Sequence, residues 1–428
     1  MAISGWEPPK NFIPVPSAVE GITVFAPPPV EEKIPEAVTF KCPQCGATTR
    51  FDVAAGGVAC EHCGFTAEVK ARKVGTQAKA SEFTLDTLRE AENGWGVERR
   101  VLHCDSCGAE LSLAANALTS TCAFCASNRV QVRTDTSSSL RPRFLIPFKI
   151  RPEETRKLAA TWLGQGWFHP DQLAANAIVD HFTGLYMPFW TFSARIESTW
   201  KAEVGYEREE RYYDSSDKEW KTRTVIDWRW ESGHRTTEVA NMLKCGSTHA
   251  SHLILDRLQP FDLNALTDYK PDFLAGWQAH SYNISLPDAW EKAKTAMREE
   301  AKDDCTNSIA SSHVRNFSMN ADFADEVWRY VLLPVYLAAY RFEEKTYQVM
   351  VNGQTGEVAG QKPVAWWKIW AVVAALVAPG LCLGLIGLPM LAAGGAGVIP
   401  IGLGVLLLIA GLIIAFVLYN KAVESEAS

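Results

Sequence analysis

Hydrophobic and polar positions divide the 428-residue chain into stretches of different texture. Residues 1–38 show little periodicity and hold eight prolines, three of them consecutive at Pro27, Pro28 and Pro29. Such a stretch buries too little to order itself, and it is expected to be a disordered, Pro-rich tail acting as a spacer. Between residues 140 and 362 short alternating runs are interspersed with helical periods. From Ile369 to Asn420 there is no Asp, Glu, Lys, Arg or His.

The 140–362 block carries the most structural signal. FLIPFKI reads as a strand. RPEETRKLAATWLGQG reads as a helix with Pro152 in its first turn and Gly164 or Gly166 at its end. LYMPFWTFSARIESTWKAEVGYE is long and β-rich; YDSSDKEW is a polar turn, and KTRTVIDWRWESG returns with alternation, which predicts a hairpin. LPDAWEKAKTAMREEAKDD is rich in strong helix formers. VLLPVYLAAYRFEEKTYQVMVNGQTGEVAG predicts two or three strands with a turn near Asn352 and Gly353. Strands joined mainly by hairpins, with a few helices between them, predict an α+β domain with a mainly antiparallel sheet. LIPFKI (145–150), YMPFWTF (186–192) and LLPVYLAAY (332–340) each place a proline inside an apolar run. Proline cannot donate to a sheet ladder, so these are expected at strand starts or edges.

The uncharged C-terminal stretch accommodates two segments of the roughly 20 residues that a membrane-spanning helix needs, about 369–391 and 398–419, joined by the turn AAGGAG. Trp366, Trp367 and Trp370 at one end and Tyr419 at the other suit the headgroup region. The expectation is a two-helix transmembrane hairpin over residues 366–421 in the cytoplasmic membrane, with a tail at 422–428. Lysines flank both ends and none lies in the turn, which by the positive-inside rule puts both termini and the soluble domains in the cytosol. Gly380 and Gly384 form a Gly-x-x-x-Gly pair of the kind that lets helices approach closely. The spans contain no group that could relay protons or ions.

Eight of the eleven cysteines fall into two sets of the same design: Cys-x-x-Cys, 14 residues, Cys-x-x-Cys. Zinc takes four thiolate or imidazole ligands in a tetrahedron. Cys42, Cys45, Cys60 and Cys63 are assigned to one Zn2+ ion, and Cys104, Cys107, Cys122 and Cys125 to a second. Gly46, Gly64 and Gly108 follow their second cysteines, where a knuckle turn needs a permissive backbone. A closed four-cysteine site has no open position for substrate, so both ions are expected to be structural, holding zinc ribbons at 39–69 and 101–133. Residues 70–100 then form a linker with a short helix near SEFTLDTLREAEN. The absence of an apolar N-terminal run and the paired spacing favour metal binding in a reducing compartment over disulfides.

Charge narrows the partners. The chain carries a net charge of −7, and residues 40–133 hold 11 Lys and Arg against 10 Asp and Glu. Phosphate contacts that drive nucleic-acid binding need a basic excess; the flat local charge favours a protein partner over nucleic acid. The densest basic run, Lys70, Arg72 and Lys73, reads as a solvated linker. There is no Gly-x-x-x-x-Gly-Lys-Ser/Thr loop, no Gly-x-Ser-x-Gly and no His-Glu-x-x-His. His249 and His252 are close in sequence but lack a third ligand and read as a turn or surface pair.

The order of motifs, two four-cysteine sets followed by LIPFKI, WLGQGWFHP, GLYMPFW, YKPDFLAGWQAHSY and VNGQTGEVAG, then WWK and an apolar hairpin, resembles a bacterial family of membrane-anchored proteins. These carry tandem zinc ribbons of the transcription-factor-IIB type and are often labelled as similar to the zinc-binding part of the primosomal helicase. The resemblance spans nearly the whole chain after residue 40. It implies a PspA-like or SPFH-like membrane-stress partner, since some members are encoded beside one, and it supplies no site residues beyond the eight cysteines. The helicase label finds no ATPase motor here. The expected function is that of a non-enzymatic, membrane-anchored cytosolic adaptor. A membrane-tethered nucleic-acid binder is a second reading, and an enzyme in the 140–362 domain a third.

Overall fold

A computed structural model describes residues 13–15, 24–26, 40–78, 80–82, 99–112, 122, 124, 129–135, 142–171, 173, 182–216, 218–343, 345–392 and 397–427. The chain divides into two units, residues 1–38 and 39–428. In the first, where an unstructured tail was expected, β1 (Ile13–Val15) pairs antiparallel with β2 (Val24–Ala26). All that follows concerns the second unit.

Its N-terminal part contains two small β-modules. β3 (Arg50–Asp52), β4 (Gly57–Ala59) and β5 (Thr66–Glu68) form an antiparallel sheet of their own. β6 is Ser81–Glu82, a strand at the start of the expected short helix, whose remainder lies outside the described residues. β7 (Arg99–Cys104) pairs with β8 (Glu110–Ser112) on one side and β9 (Val130–Asp135) on the other.

The body is built on very long strands. β10 is Phe144–Leu145 and helix α1 is Pro152–Leu163, with Pro152 in its first turn and Gly164 at its C-cap as the sequence predicts. β11 runs over Thr183–Asp214 and β12 over Glu219–Cys245, 32 and 27 residues; most strands have 3–10. Helix α2 (His252–Arg257), β13 (Thr267–Asp268) and β14 (Gln278–His280) follow. Then come helix α3 (Leu286–Asn307), β15 (His313–Phe342), β16 (Lys345–Asn352) and β17 (Val358–Gly360). The sheet order is β13-β10-β15-β11-β14-β8-β7-β9, with β12 beside β11, β6 and β16 beside β15, and β17 beside β16. Only β10–β15 and β11–β14 are parallel among the described pairs.

Strands this long stay regular only if their twist is released. Register shifts at Phe192/Ala194, Ser193/Arg195 and Lys201/Glu203 leave extra residues on the partner strands. There Asn241, Asp325 and Asn316 adopt φ of 56°, 53° and 50°. Asn and Asp enter the left-handed region at less cost than other side-chain-bearing residues, and such bulges bend and twist a strand.

β11 alternates strictly beyond the first bulge. Ala194, Ile196, Ser198, Trp200, Ala202 and Val204 are buried, while Arg195, Glu197, Thr199 and Lys201 are exposed. Helix α3 covers the buried face. Ser285 caps it by accepting the Asp288 N–H, and Ala289, Ala293, Met297, Ala301 and Cys305, spaced by four, line the buried stripe. Beyond the Gly205–His313 pair β15 has no further partner residues, and Tyr206–Asp214 continue with β12 alone as a two-stranded arm, roughly 30 Å long.

The prolines do not mark strand starts or edges as expected; Pro188 and Pro334 lie well inside β11 and β15. Their missing N–H groups fall where each strand changes neighbour. β11 pairs with β14 through Tyr186 and with β12 from Phe189 onward; β15 pairs with β10 through Leu332 and with β16 from Val335 onward. No ladder bond is lost at the gap. The proline carbonyls accept instead from Gly246 N–H (2.8 Å) and Gly353 N–H (2.9 Å). Pro147 lies beyond the end of β10, not at a strand start or edge as expected.

Helices α4 (Trp366–Ala392) and α5 (Val398–Ala427) form an antiparallel hairpin. Among the described residues these are the helices long and apolar enough to cross a membrane, and only 11% and 17% of their most apolar stretches are buried within the protein. A soluble core helix would hide that surface. Their approach depends on glycine: a Cβ on Gly404 would lie 2.9 Å from the Gly380 carbonyl oxygen, and one on Gly411 2.8 Å from that of Leu376. A Cβ on Gly384 would meet nothing within 4 Å, so Gly380 alone of the Gly-x-x-x-Gly pair needs its missing side chain.

The hairpin base is fastened to the body. Residues 422–427, expected as a tail, continue α5: Ala422 is buried with Val364 and Ile369, and Glu424 pairs with Arg257 at 2.8 Å. The Lys362 ammonium donates to the carbonyls of Trp162 and Gln165 at the end of α1, where a helix C-terminus attracts cations. Burial lowers it to about 8.

Candidate metal centres

Cys42, Cys45, Cys60 and Cys63 converge, their sulfurs all within 4.8 Å of one another. Cys42 Sγ and Cys63 Sγ are 3.5 Å apart, Cys45 Sγ and Cys60 Sγ 3.6 Å. An ion about 2.3 Å from each of four tetrahedral sulfurs would space them about 3.8 Å apart, so the set fits a metal with little adjustment. Cys104, Cys107 and Cys122 form a second cluster, with Cys107 Sγ and Cys122 Sγ at 3.7 Å. Cys125, the expected fourth ligand, lies outside the described residues.

Three knuckles share one backbone design. Gly46, Gly64 and Gly108 have φ of 73°, 74° and 72°, and their N–H groups bond the carbonyls of Cys42, Cys60 and Cys104 at 2.8, 2.9 and 2.8 Å. The amides of those cysteines close the turn on Ala47, Phe65 and Ala109. A side chain at that φ would be strained, which accounts for glycine. Backbone amides also face the sulfurs. Desolvation raises the Cys42 thiol, but the N–H groups of Cys45 and Gln44 together with the Cys63 and Cys45 sulfurs bring it down to about 7, while Cys63, despite the Phe65 N–H, is pushed up to about 12 by desolvation and the neighbouring sulfurs. Thiolate is the form that binds metal.

The remaining cysteines do something else. Cys245 and Cys305 are buried in the core, and burial pushes Cys245 up to about 12. Cys382 is exposed on α4. His62 is exposed, and His103 bonds Glu110 at 3.3 Å.

Each cysteine module is docked through one phenylalanine onto the segment YKPDFLAGWQAHSY. In the first, Phe51 packs on Phe273 with ring centroids 5.2 Å apart, and its N–H bonds the Ala275 carbonyl. In the second, β8 pairs with β14, so the module extends the main sheet. Phe124, between Cys122 and Cys125, is buried against His280 (5.2 Å) and His249 (5.8 Å); Gln348 Nε2 donates to its carbonyl at 2.7 Å. The two modules reach opposite faces of the sheet. Tyr186, Trp190 and Phe192 share a core with Phe51, whereas Leu185, Met187 and Phe189 share one with Leu102, Cys104 and Phe124.

Neither the Ser247–His280 pair nor the docking role of Phe124 is read from the sequence above. Ser247 Oγ lies 2.8 Å from His280 Nε2, and His280 Nδ1 bonds the Glu110 carbonyl. A serine bonded to an oriented imidazole is also the start of a hydrolytic site. Here both are buried, at 0% and 3% exposure, and burial lowers His280 to about 4. The pair is therefore a neutral staple between β14 and the second module. An aromatic inside Cys-x-x-Cys was the available signal for Phe124; nothing local marks Ser247. The GLYMPFW and LAGWQAHSY motifs likewise meet in packing: Phe148 stacks on Trp277 at 4.4 Å and touches Tyr186 and Tyr336. A Cβ on Gly184 would fall 2.1 Å from the Trp277 ring.

No family model matches the chain, and no solved structure does. Among curated proteins it is similar to the uncharacterized protein YdjG of Bacillus subtilis (strain 168), with 25% identity over 339 residues covering 78% of this chain and 92% of YdjG.

Proposed function

We propose that the protein is a non-enzymatic, membrane-anchored adaptor whose two structural Zn2+ ions, the second completed by Cys125, shape a surface for a membrane-associated protein partner. The observation that carries this reading is the continuity between anchor and modules. The apolar hairpin is fastened to the body at Lys362, Glu424 and Ala422, and the body clamps both cysteine modules through Phe51 and Phe124. An insertion of α4 and α5 into the cytoplasmic membrane, with both termini in the cytosol, would hold the modules at a fixed place beside the bilayer. The packed aromatic interior at Phe148, Tyr186, Trp277 and Tyr336 favours a scaffold over an enzyme. By family resemblance the partner belongs to a PspA-like or SPFH-like membrane-stress system.

The test has two stages. First, membranes containing the full-length protein are washed with alkaline carbonate; release into the wash refutes the anchor. Then in-cell crosslinking compares the wild type with Cys104→Ser/Cys107→Ser. A membrane protein captured by the wild type and lost in the variant supports the adaptor. Nucleic acid captured in the same module-dependent way replaces it with the nucleic-acid reading.

A further inference from the structure

The run Lys70, Arg72 and Lys73 reads in sequence as a solvated linker. In the fold it is laid against the body as an added strand. Lys73 bridges Thr267, and Val74 N–H bonds the Leu266 carbonyl at 2.9 Å. Lys270 Nζ reaches the Lys70 carbonyl. On the far side of β13, Asp268 pairs with Phe144, which brings in Arg143 from the segment that follows the second module. Three extended segments thus lie side by side and enclose an open cleft of about 470 Å³.

The composition of this cleft is unusual for a chain of net charge −7. Arg72, Lys73 and Arg143 line it together with a single acid, Asp268. Asp268 is engaged by Arg72 at 3.1 Å; among the described residues Lys73 and Arg143 have no carboxylate partner. The floor is apolar, made by Val74, Ala78 and Phe144. It is also held in place: the Arg329 guanidinium donates to the carbonyls of Thr76 (3.2 Å) and Ala78 (2.8 Å). An apolar floor with cations converging at its rim suits a ligand with a flat or aliphatic body and an anionic group, and guanidinium geometry suits phosphate.

We propose that this cleft binds the phosphate group of a small phosphorylated ligand, with Arg143 and Lys73 as the primary contacts and Arg72 held in reserve by Asp268. A nucleotide and a phospholipid headgroup share that chemistry.

Full-length protein in dodecyl maltoside micelles, which carry no phosphate, would be titrated calorimetrically with ADP and, separately, with glycerol 1-phosphate as the headgroup stand-in. Binding by either probe is expected to be displaced by inorganic phosphate. It should weaken by about tenfold or more in Lys73→Ser/Arg143→Ser, since each lost charge-assisted hydrogen bond is of that order. The tighter probe identifies the source. Both side chains are exposed, so metal content and melting temperature should not change, and Arg211→Ser on the distant arm should leave affinity intact. A measurement on the wild type alone accompanies this: bound ligand should slow chemical acetylation of Lys73 and leave Lys201 unaffected. Absence of binding by both probes, equal affinity in the double variant, or unprotected Lys73 would overturn the proposal.

Discussion

The ring of Phe124 meets the imidazole of His280 edge-on, centroids 5.2 Å apart, and this contact joins a metal knuckle to the central sheet. Edge-to-face aromatic pairs contribute beyond their buried area. Phe124 is 1% exposed, so Phe124→Ala should cost about 3–5 kcal/mol, measured by denaturant unfolding in detergent. Hydrogen exchange should rise at Leu111–Ser112 and Gln278–His280, whose pairing depends on the docked module. Unchanged stability would mean that the second module hangs from the sheet by its backbone alone.

Acid should release the same module. His280 titrates near 4 because burial disfavours its charged form, against 6.5 for an ordinary histidine. Between those values the unfolded chain binds more protons than the folded one, so stability falls as pH drops from about 6.5 and levels off below about 4. In His280→Gln that part of the acid dependence should vanish. Melting temperature measured from pH 7.5 to 4 in both proteins decides the point.

Metal removal should dissect the two modules. On the proposed occupancy of two Zn2+ ions per chain, Cys60→Ser should leave one. It should unfold the β3–β5 sheet while the main sheet persists, because only the second module shares strands with that sheet. Metal analysis with circular dichroism reads both effects. Loss of both ions would show that the modules fold as one unit.

The helical hairpin offers a contrast between two glycines, one on each helix. Gly404→Ala places a methyl 2.9 Å from the Gly380 carbonyl oxygen, so the helices must separate, at a cost of about 1–3 kcal/mol. Gly384→Ala points into open space and should be neutral or slightly stabilising through helix propensity. Unfolding of the purified protein in mixed micelles should rank them in that order.

Much of this was legible in the chain. α1 lies where Pro152 and Gly164 place it, α3 where strong helix formers cluster, the β11–β12 hairpin turns where the polar run occurs, and seven of the eight named cysteines fall in the described clusters. Their determinants are local: a cap lies next to its helix, and a Cys-x-x-Cys knuckle is closed by the glycine that follows it. The prolines depart from expectation because a strand's own sequence does not show which neighbours lie on either side of it. Whether a missing N–H matters depends on which neighbour lies opposite, and Pro188 and Pro334 occupy the gaps between successive neighbours.

The sequence by itself determined the element types of the 140–362 body, the cysteine sets and the uncharged hairpin, because these follow from spacing within a few residues or from composition over a span. Only the tertiary structure decided that the second module extends the body's sheet, that His280 is a staple, that residues 422–427 dock on the body, and that Arg72, Lys73 and Arg143 share one cleft. Each of these depends on segments about 70 to 200 residues apart being brought to hydrogen-bonding distance, which no local pattern encodes.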